Sequence, residues 1–100
     1  MANKIDGIIE AVRYKNGQIS VVRVYERRGA SFSDRMLIDR KDLLGRIQNG
    51  KLFLIGSRKE FLAGTFEEGR PVKVVGSDGK DFITTRDTSD RDELEETPFF

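Results

Sequence analysis

The dipeptide Asn16-Gly17 limits what this chain can fold into more than any other feature, because it separates two runs of β-branched and aromatic residues within Ile5–Arg28. A two-residue hairpin turn of type I′ needs positive φ at both central positions, and Asn and Gly tolerate that conformation. The sequence therefore predicts an antiparallel hairpin in which Lys15 lies opposite Gln18.

That register predicts which side chains share a face of the hairpin. Two pairs of opposite charge fall directly across from each other, which supports the register because such pairs contribute about 0.2–1 kcal/mol each. One face is mixed, and its pairs are Tyr14 with Ile19, Val12 with Val21, Glu10 with Arg23, Ile8 with Tyr25 and Asp6 with Arg27. The other face has Ala11 opposite Val22 and Ile9 opposite Val24, and we expect it to pack on the core.

A short helix is predicted after a third strand at 36–38. Asp39 is a suitable N-cap, and Asn49-Gly50 supplies a left-handed stop, so the helix is expected over 40–48. Its apolar residues form one narrow stripe that is typical of core packing: Leu43, Leu44 and Ile47.

The second half of the chain alternates apolar runs with turn residues. We predict strands at 51–57, 72–75 and 82–85, an irregular segment at 61–66, and turns at 67–70 and 77–80. The order β-β-β-α-β-β(-β) is mainly β with one short helix. It indicates a small curled sheet or barrel, OB-like or SH3-like, although a helix packed on an α+β sheet has a similar order.

Charge divides the chain into a body, 1–86, and an acidic tail, 87–100. Six acidic side chains and two arginines give residues 86–100 a net charge of −4, which leaves +5 on the other 85 residues because the whole chain is +1. The tail has too few apolar residues to fold alone, so we expect it to be disordered. The alternative is that it packs onto its own body.

The composition excludes several kinds of chemistry. Cys and His are absent, which removes disulfides, Cys/His zinc sites, cysteine nucleophiles and imidazole bases. We therefore expect no enzymatic activity, no metal and no cofactor. No apolar run is long enough for a membrane span, so we expect no membrane contact and a cytoplasmic location.

The mixed face of the hairpin is the first candidate binding surface. Arginine pairs with phosphate and tyrosine stacks on bases, so the residues predicted to contact single-stranded nucleic acid are Tyr14, Arg23, Tyr25 and Arg27. The alternative is an ordinary solvated sheet face, because Glu10 and Asp6 neutralise the two arginines.

The tip of the tail, Pro98, Phe99 and Phe100, is the second candidate surface, since aromatic residues after an acidic run can anchor a partner protein. This tail resembles that of bacterial single-stranded DNA-binding proteins, whose body is an OB-fold and whose tip recruits repair and replication enzymes. The resemblance covers about nine residues and implies that these three residues recruit a partner. The chain departs from that family in its second Phe and in lacking a Gly/Gln-rich linker. The remaining hypothesis is a protein-interaction or self-assembling module, a homo-oligomer for example, that uses the 5–28 hairpin face or this tip.

Overall fold

The computed structural model describes residues 5–29, 31–58, 66–77, 80–87, 89, 91–95 and 97–100 of the protein. The protein is mainly β with one short helix, which confirms the predicted fold class. The elements in chain order are β1 (Gly7–Lys15), β2 (Gln18–Arg28), β3 (Ser31–Phe32), β4 (Met36–Asp39), α1 (Arg40–Gln48), β5 (Phe53–Arg58), β6 (Phe66–Pro71), β7 (Lys73–Ser77) and β8 (Lys80–Thr84).

The hairpin of β1 and β2 has the predicted turn. Asn16 and Gly17 have φ angles of 54° and 78°, so both occupy the left-handed region that a type I′ turn requires. The predicted register is confirmed at both ends of the hairpin, where Lys15 pairs with Gln18 and Ile8 pairs with Tyr25.

The register is wrong in the middle of the hairpin, where it shifts by one residue. Ala11 pairs with Arg23 and Val12 with Val22, and Glu10 has no pairing partner on β2. An extra residue of this kind is a β-bulge, which turns the side chains that follow it onto the opposite face. Val12 therefore enters the core, although the alternation of the sequence had placed it on the mixed face.

A six-stranded mixed sheet organises the molecule. Its main path runs β3-β2-β1-β5-β6, and β4 pairs with β2, while β7 and β8 form a separate hairpin. β1 and β5 run parallel and pair from Gly7 to Ile9 on β1. The small β-rich fold is therefore confirmed, and the finer likeness to an OB-fold or SH3-like barrel stays a prediction.

The helix has the predicted bounds, and its capping residues explain them. The Asp39 side chain accepts a hydrogen bond from the backbone N–H of Asp42 (2.8 Å), which satisfies one of the free donors of the first turn. Asn49 is the C-cap, and Gly50 follows with a φ of 87°. Leu43 points into the core, with Leu44 and Ile47 partly buried against it.

The turn predicted at 67–70 is wrong, because these residues lie within β6. Ser57 pairs with Glu67 and Gly56 with Glu68. The described residues of β6 from Glu67 to Pro71 are exposed, so its polar composition suits an edge strand as well as a turn. The predicted irregular segment lies, up to residue 65, outside the described residues, as does the tip of the predicted 77–80 turn at 78–79.

Gly56 allows β5 and β6 to approach closely, and it provides a test of this pairing. A Cβ at Gly56 would overlap the backbone oxygen of Glu67, so we expect Gly56→Ala to lower the free energy of unfolding by about 1–3 kcal/mol. Gly45 in α1 is the matched control, because nothing lies within 4 Å of a Cβ there, and Gly45→Ala should stabilise by up to about 1 kcal/mol. Urea unfolding of both variants measures the difference, and equal effects would contradict the close approach.

The C-terminal segment packs on the body, which is the alternative to the predicted disordered tail. Asp92, Leu94 and Thr97 are buried, and isolated β-bridges join Thr84 to Glu93 and Val12 to Phe99. The described residues after 86 therefore belong to the folded domain and are not a flexible tail. The physical reason is that Asp92 and Leu94 alternate with the half-buried Glu93 and Glu95, so two side chains of this run face the body, where hydrogen bonds and apolar contact replace solvent.

The helix of the described residues is too short to cross a membrane, and no other segment of that part of the chain forms a membrane-spanning helix.

Candidate functional site

Three arginines lie close together with Phe100 on one side of the sheet. Arg13 lies on β1, Arg23 on β2, and Arg35 precedes β4; with Met36, Leu37 and Phe100 they line a shallow cavity of about 360 Å³. We call these six residues the arginine face. The guanidinium carbons of Arg13 and Arg23 lie 4.6 and 4.9 Å from the centroid of the Phe100 ring, within the range of a cation–π interaction.

The bulge residue Glu10 fixes two of these arginines. Its carboxylate lies 3.0 Å from Nε of Arg23 and 3.1 Å from Nε of Arg35. The contact with Arg23 is close but not aligned as a hydrogen bond, and Oε1 of Glu10 and Nε of Arg23 are both buried. Glu10 therefore orients the two guanidinium groups and compensates part of their charge.

The buried Tyr25 links Glu10 to Arg35. Its hydroxyl donates a hydrogen bond to Oε2 of Glu10 (2.9 Å) and accepts one from Nε of Arg35 (2.8 Å). The hydrogen bond that Arg35 donates to Tyr25 and the neighbouring Glu10 carboxylate raise the pKa of Arg35 above its usual value. Arg35 nevertheless keeps 60% of its side chain exposed, so its charge is accessible to a ligand.

The acidic residues of the C-terminal segment do not neutralise the arginine face. Asp92 pairs with Arg40, Glu95 with Arg70, and Glu93 and Glu95 with Arg86. Among the described residues, Glu10 is the acidic side chain that forms ion pairs with the arginine face. Three guanidinium groups and one carboxylate therefore leave this surface positive.

The structure does not bring the four predicted nucleic-acid contacts onto one surface. Tyr25 is only 1% exposed, so its ring is not available for stacking on a base. Tyr14 accepts a hydrogen bond from the N–H of Leu94 (2.9 Å), and its ring forms a T-shaped pair with that of Phe99, at a centroid distance of 5.7 Å. Burial of the Tyr14 hydroxyl raises its pKa, and the bond from Leu94 acts in the opposite direction.

The two predicted arginines lie apart as well. The Arg27 guanidinium lies over the ring of Phe32, 4.8 Å from its centroid, and its Nε donates to the backbone oxygen of Ile5. Of the four predicted residues, only Arg23 belongs to the arginine face. The tyrosine platform expected from the uniform register is therefore wrong, because the bulge and the burial of Tyr25 separate its members.

The predicted tip of the tail is held by β1. The backbone N–H of Val12 donates to the oxygen of Pro98 (2.8 Å), and the N–H of Phe100 donates to the oxygen of Val12 (3.3 Å). Phe100 lies on the arginine face, whereas Phe99 is 77% exposed. Of the two aromatic rings proposed as a partner anchor, Phe99 is the one available at the surface.

Arg13 and Arg35 were not predicted for the site. Arg13 follows directly after Val12, whose face depends on the bulge, and Arg35 lies in the polar segment between β3 and β4. Neither position carries a local signal, since Arg13 contacts Phe100 and Arg35 contacts Glu10, and both contacts join residues that are distant in the chain.

Comparison with protein-family models, curated proteins and solved structures finds no match for this chain. Among the described residues, no group of three or more His, Cys, Asp or Glu side chains could hold a metal ion. The interpretation of the site therefore depends on its geometry and charge alone.

Proposed function

We propose that this protein is a non-enzymatic binding module that contacts single-stranded nucleic acid through the arginine face. The observation that carries the proposal is that three arginines line one cavity and two of them lie over the Phe100 ring, while Glu10 is the acidic side chain of the described residues that pairs with this face. Arginine offers planar, bidentate donors to phosphate and also stacks on flat π systems.

The apolar floor of the arginine face suits the bases of such a ligand. Leu37 is 58% exposed and pairs with Arg23 across β2 and β4, so an apolar surface adjoins the guanidinium groups. Single-strand binding without sequence preference combines a positive groove with surfaces on which bases stack. Phosphates would contact the exposed guanidinium groups, and bases would lie against Phe100 and Leu37.

The resemblance of the C-terminal segment to the tail of bacterial single-stranded DNA-binding proteins supports a function that involves single-stranded nucleic acid. In that family the tip recruits other enzymes, and here Pro98 and Phe99 are the exposed residues that would serve this role.

Binding of a fluorescent single-stranded oligonucleotide, measured by anisotropy between about 50 and 200 mM salt, tests the proposal. Three phosphate contacts give a slope of about −2 in log K against log salt, which is roughly a 20-fold loss over this range. Arg35→Gln should weaken binding several-fold and reduce the slope by about 0.7.

Arg91→Gln is the matched control. It removes the same charge from an exposed side chain that pairs with Glu93 and does not line the arginine face, and it should leave affinity nearly unchanged. Undetectable binding of both DNA and RNA at about 50 mM salt, where phosphate contacts are strongest, would refute the proposal. Equal effects of the two substitutions would refute the assignment to this face.

A protein-interaction or self-assembling module is the second candidate, favoured by one observation. Leu37 and Phe99 are the exposed large hydrophobic side chains of the described residues, at 58% and 77%. An apolar interface is insensitive to salt, whereas phosphate contact is not. Self-association that persists at about 500 mM salt and is lost in Leu37→Ser would favour this candidate.

A further inference from the structure

The edge of β1 is shared by strand β5 and by a short C-terminal segment. β5 pairs with β1 from Gly7 to Ile9 only. Further along, residues 98–100 take its place beside Val12 as a parallel bridge. The backbone groups of Val12 on this edge are therefore satisfied by a short segment that arrives from the far end of the chain.

Both hydrogen-bonding groups of Val12 on that edge are used. Its N–H donates to Pro98 and its carbonyl oxygen accepts from Phe100, at 2.8 and 3.3 Å. This is the pattern by which an extended peptide adds a strand to an open sheet edge, where the backbone supplies the affinity and side-chain pockets supply the specificity.

Side-chain contacts at this edge select an aromatic residue. The guanidinium groups of Arg13 and Arg23 lie over the Phe100 ring. Nε of Arg13 also donates to the backbone oxygen of Phe100 (2.9 Å), so the position of the backbone and the type of side chain are recognised together. The neighbouring Phe99 forms a T-shaped ring pair with Tyr14 and is 77% exposed.

The segment can leave this edge without unfolding the body. Asp92 and Leu94 anchor the preceding residues in the core, so displacement of residues 98–100 breaks only the contacts of those three residues. A tethered segment of this length is present near its site at an effective concentration in the millimolar range, and it competes with a free ligand accordingly.

We propose that the edge of β1 at Val12 and Arg13 is a binding groove for an extended peptide with an aromatic residue at the Phe100 position, and that residues 98–100 occupy it in cis. The occupant is a peptide segment of another chain with this pattern. This inference goes beyond nucleic-acid binding, although the two ligands share Arg13 and Arg23 and would exclude each other.

A peptide titration followed by ¹⁵N-resolved NMR tests the groove. The probe is an acetylated peptide with the sequence of residues 95–100, added at up to about 5 mM, a few times the effective concentration of a short tether. In the full-length Phe100→Ala variant, whose own segment is weakened, the amides of Val12 and Arg13 should shift on titration. The unchanged protein should bind the same peptide at least about tenfold more weakly, because its own segment competes.

Two controls make the result decisive. A peptide with alanine in place of its last phenylalanine should not bind, and Arg13→Gln combined with Phe100→Ala should abolish the shifts. If Phe100→Ala fails to fold, deletion of residues 98–100 provides a second receptor that retains Asp92 and Leu94. Absence of a shift at Val12 in a folded receptor, or equal binding of the alanine peptide, would overturn the proposal.

The experiment also separates this groove from the nucleic-acid proposal. Arg35 contacts Glu10 and Tyr25 rather than the backbone of residues 98–100. Arg35→Gln should therefore weaken oligonucleotide binding and leave peptide affinity unchanged. Peptide binding without oligonucleotide binding would support the groove and refute the nucleic-acid function, and the reverse result would refute the groove alone.

Discussion

Replacing Asp92 with alanine is expected to lower the free energy of unfolding by about 3–5 kcal/mol, because it leaves one partner of a buried ion pair uncompensated. The Asp92 side chain has no exposed surface, and its carboxylate accepts two bonds from Arg40, at 2.7 and 3.1 Å. It also accepts from the backbone N–H groups of Ile19 and Ile83, at 3.0 and 2.9 Å. One carboxylate therefore joins β2, α1 and β8.

The melting temperature of Asp92→Ala should fall by at least about 12 °C, given the unfolding entropy of a domain of this size. Asp87→Ala is the matched control, since Asp87 pairs with Lys73 but is 91% exposed, and surface ion pairs contribute little. Thermal and urea unfolding followed by circular dichroism measure both variants. An Asp92→Ala protein that unfolds like the Asp87→Ala control would contradict the role assigned to the buried carboxylate.

The same carboxylate makes stability depend on pH. Burial raises the pKa of Asp92, but the hydrogen bonds from Arg40, Ile83 and Ile19 outweigh burial, so the pKa lies below its ordinary value. A depressed folded-state pKa gives stability that is present above the unfolded pKa of about 3.9 and is lost as pH falls through the folded value. As the pH falls below about 4, the free energy of unfolding of Asp92→Asn should therefore decrease less than that of the unchanged protein.

The features that sequence reasoning predicted correctly are encoded by neighbouring residues. Asp39 caps α1 and Gly50 follows its end, and Asn16-Gly17 forms the hairpin turn. Each signal depends on a backbone preference of the residue itself, so no knowledge of distant contacts is required.

The parts that were missed depend on contacts between distant residues. The bulge at Glu10 leaves no trace in the alternation of β1, because apolar residues occur on both faces of that strand. The pairing of β1 with β5, and of Val12 with Phe99, joins segments that are more than forty residues apart. Loop composition and local propensity carry no information about such pairings.

The sequence of the C-terminal segment contains an alternating pattern typical of a strand-like segment, although its high charge predicted disorder. Buried Asp92 and Leu94 alternate with the half-buried Glu93 and Glu95, which is the period of two that a strand-like segment shows on a surface. High negative charge predicted disorder, but the acidic side chains are used: Arg40, Arg70 and Arg86 pair with them. A charged side chain can be buried when several hydrogen-bond donors contact it, and it then holds the fold together instead of facing solvent.

This docking also limits how the nucleic-acid proposal can be tested. Removing residues 87–100 would delete Asp92 and Leu94 from the core, so a loss of binding in that truncation would report unfolding. The acidic segment therefore cannot be treated as a detachable competitor of the body. Substitutions on the arginine face, where exposed side chains change without a loss of core packing, separate binding from stability.

Leu94→Ala is expected to lower the free energy of unfolding by about 2–5 kcal/mol, the range for a buried leucine whose removal leaves a cavity. Leu94 is 4% exposed and belongs to the same core cluster as Val22, Leu43 and Ile83. Urea unfolding measures the change. An unaltered slope of the unfolding free energy against urea concentration, with a lower midpoint, would show that the substitution changed stability rather than compactness.

Phe99→Ala is the matched control for Leu94→Ala, because it removes a larger apolar side chain from the same segment. Phe99 is 77% exposed, so its loss should cost about 0.5 kcal/mol or less. A tail without contacts predicts that neither substitution matters, and a purely compositional effect predicts the larger loss for phenylalanine. Only a segment docked through Leu94 gives a large loss for the smaller side chain, so the ratio of the two effects decides between these descriptions.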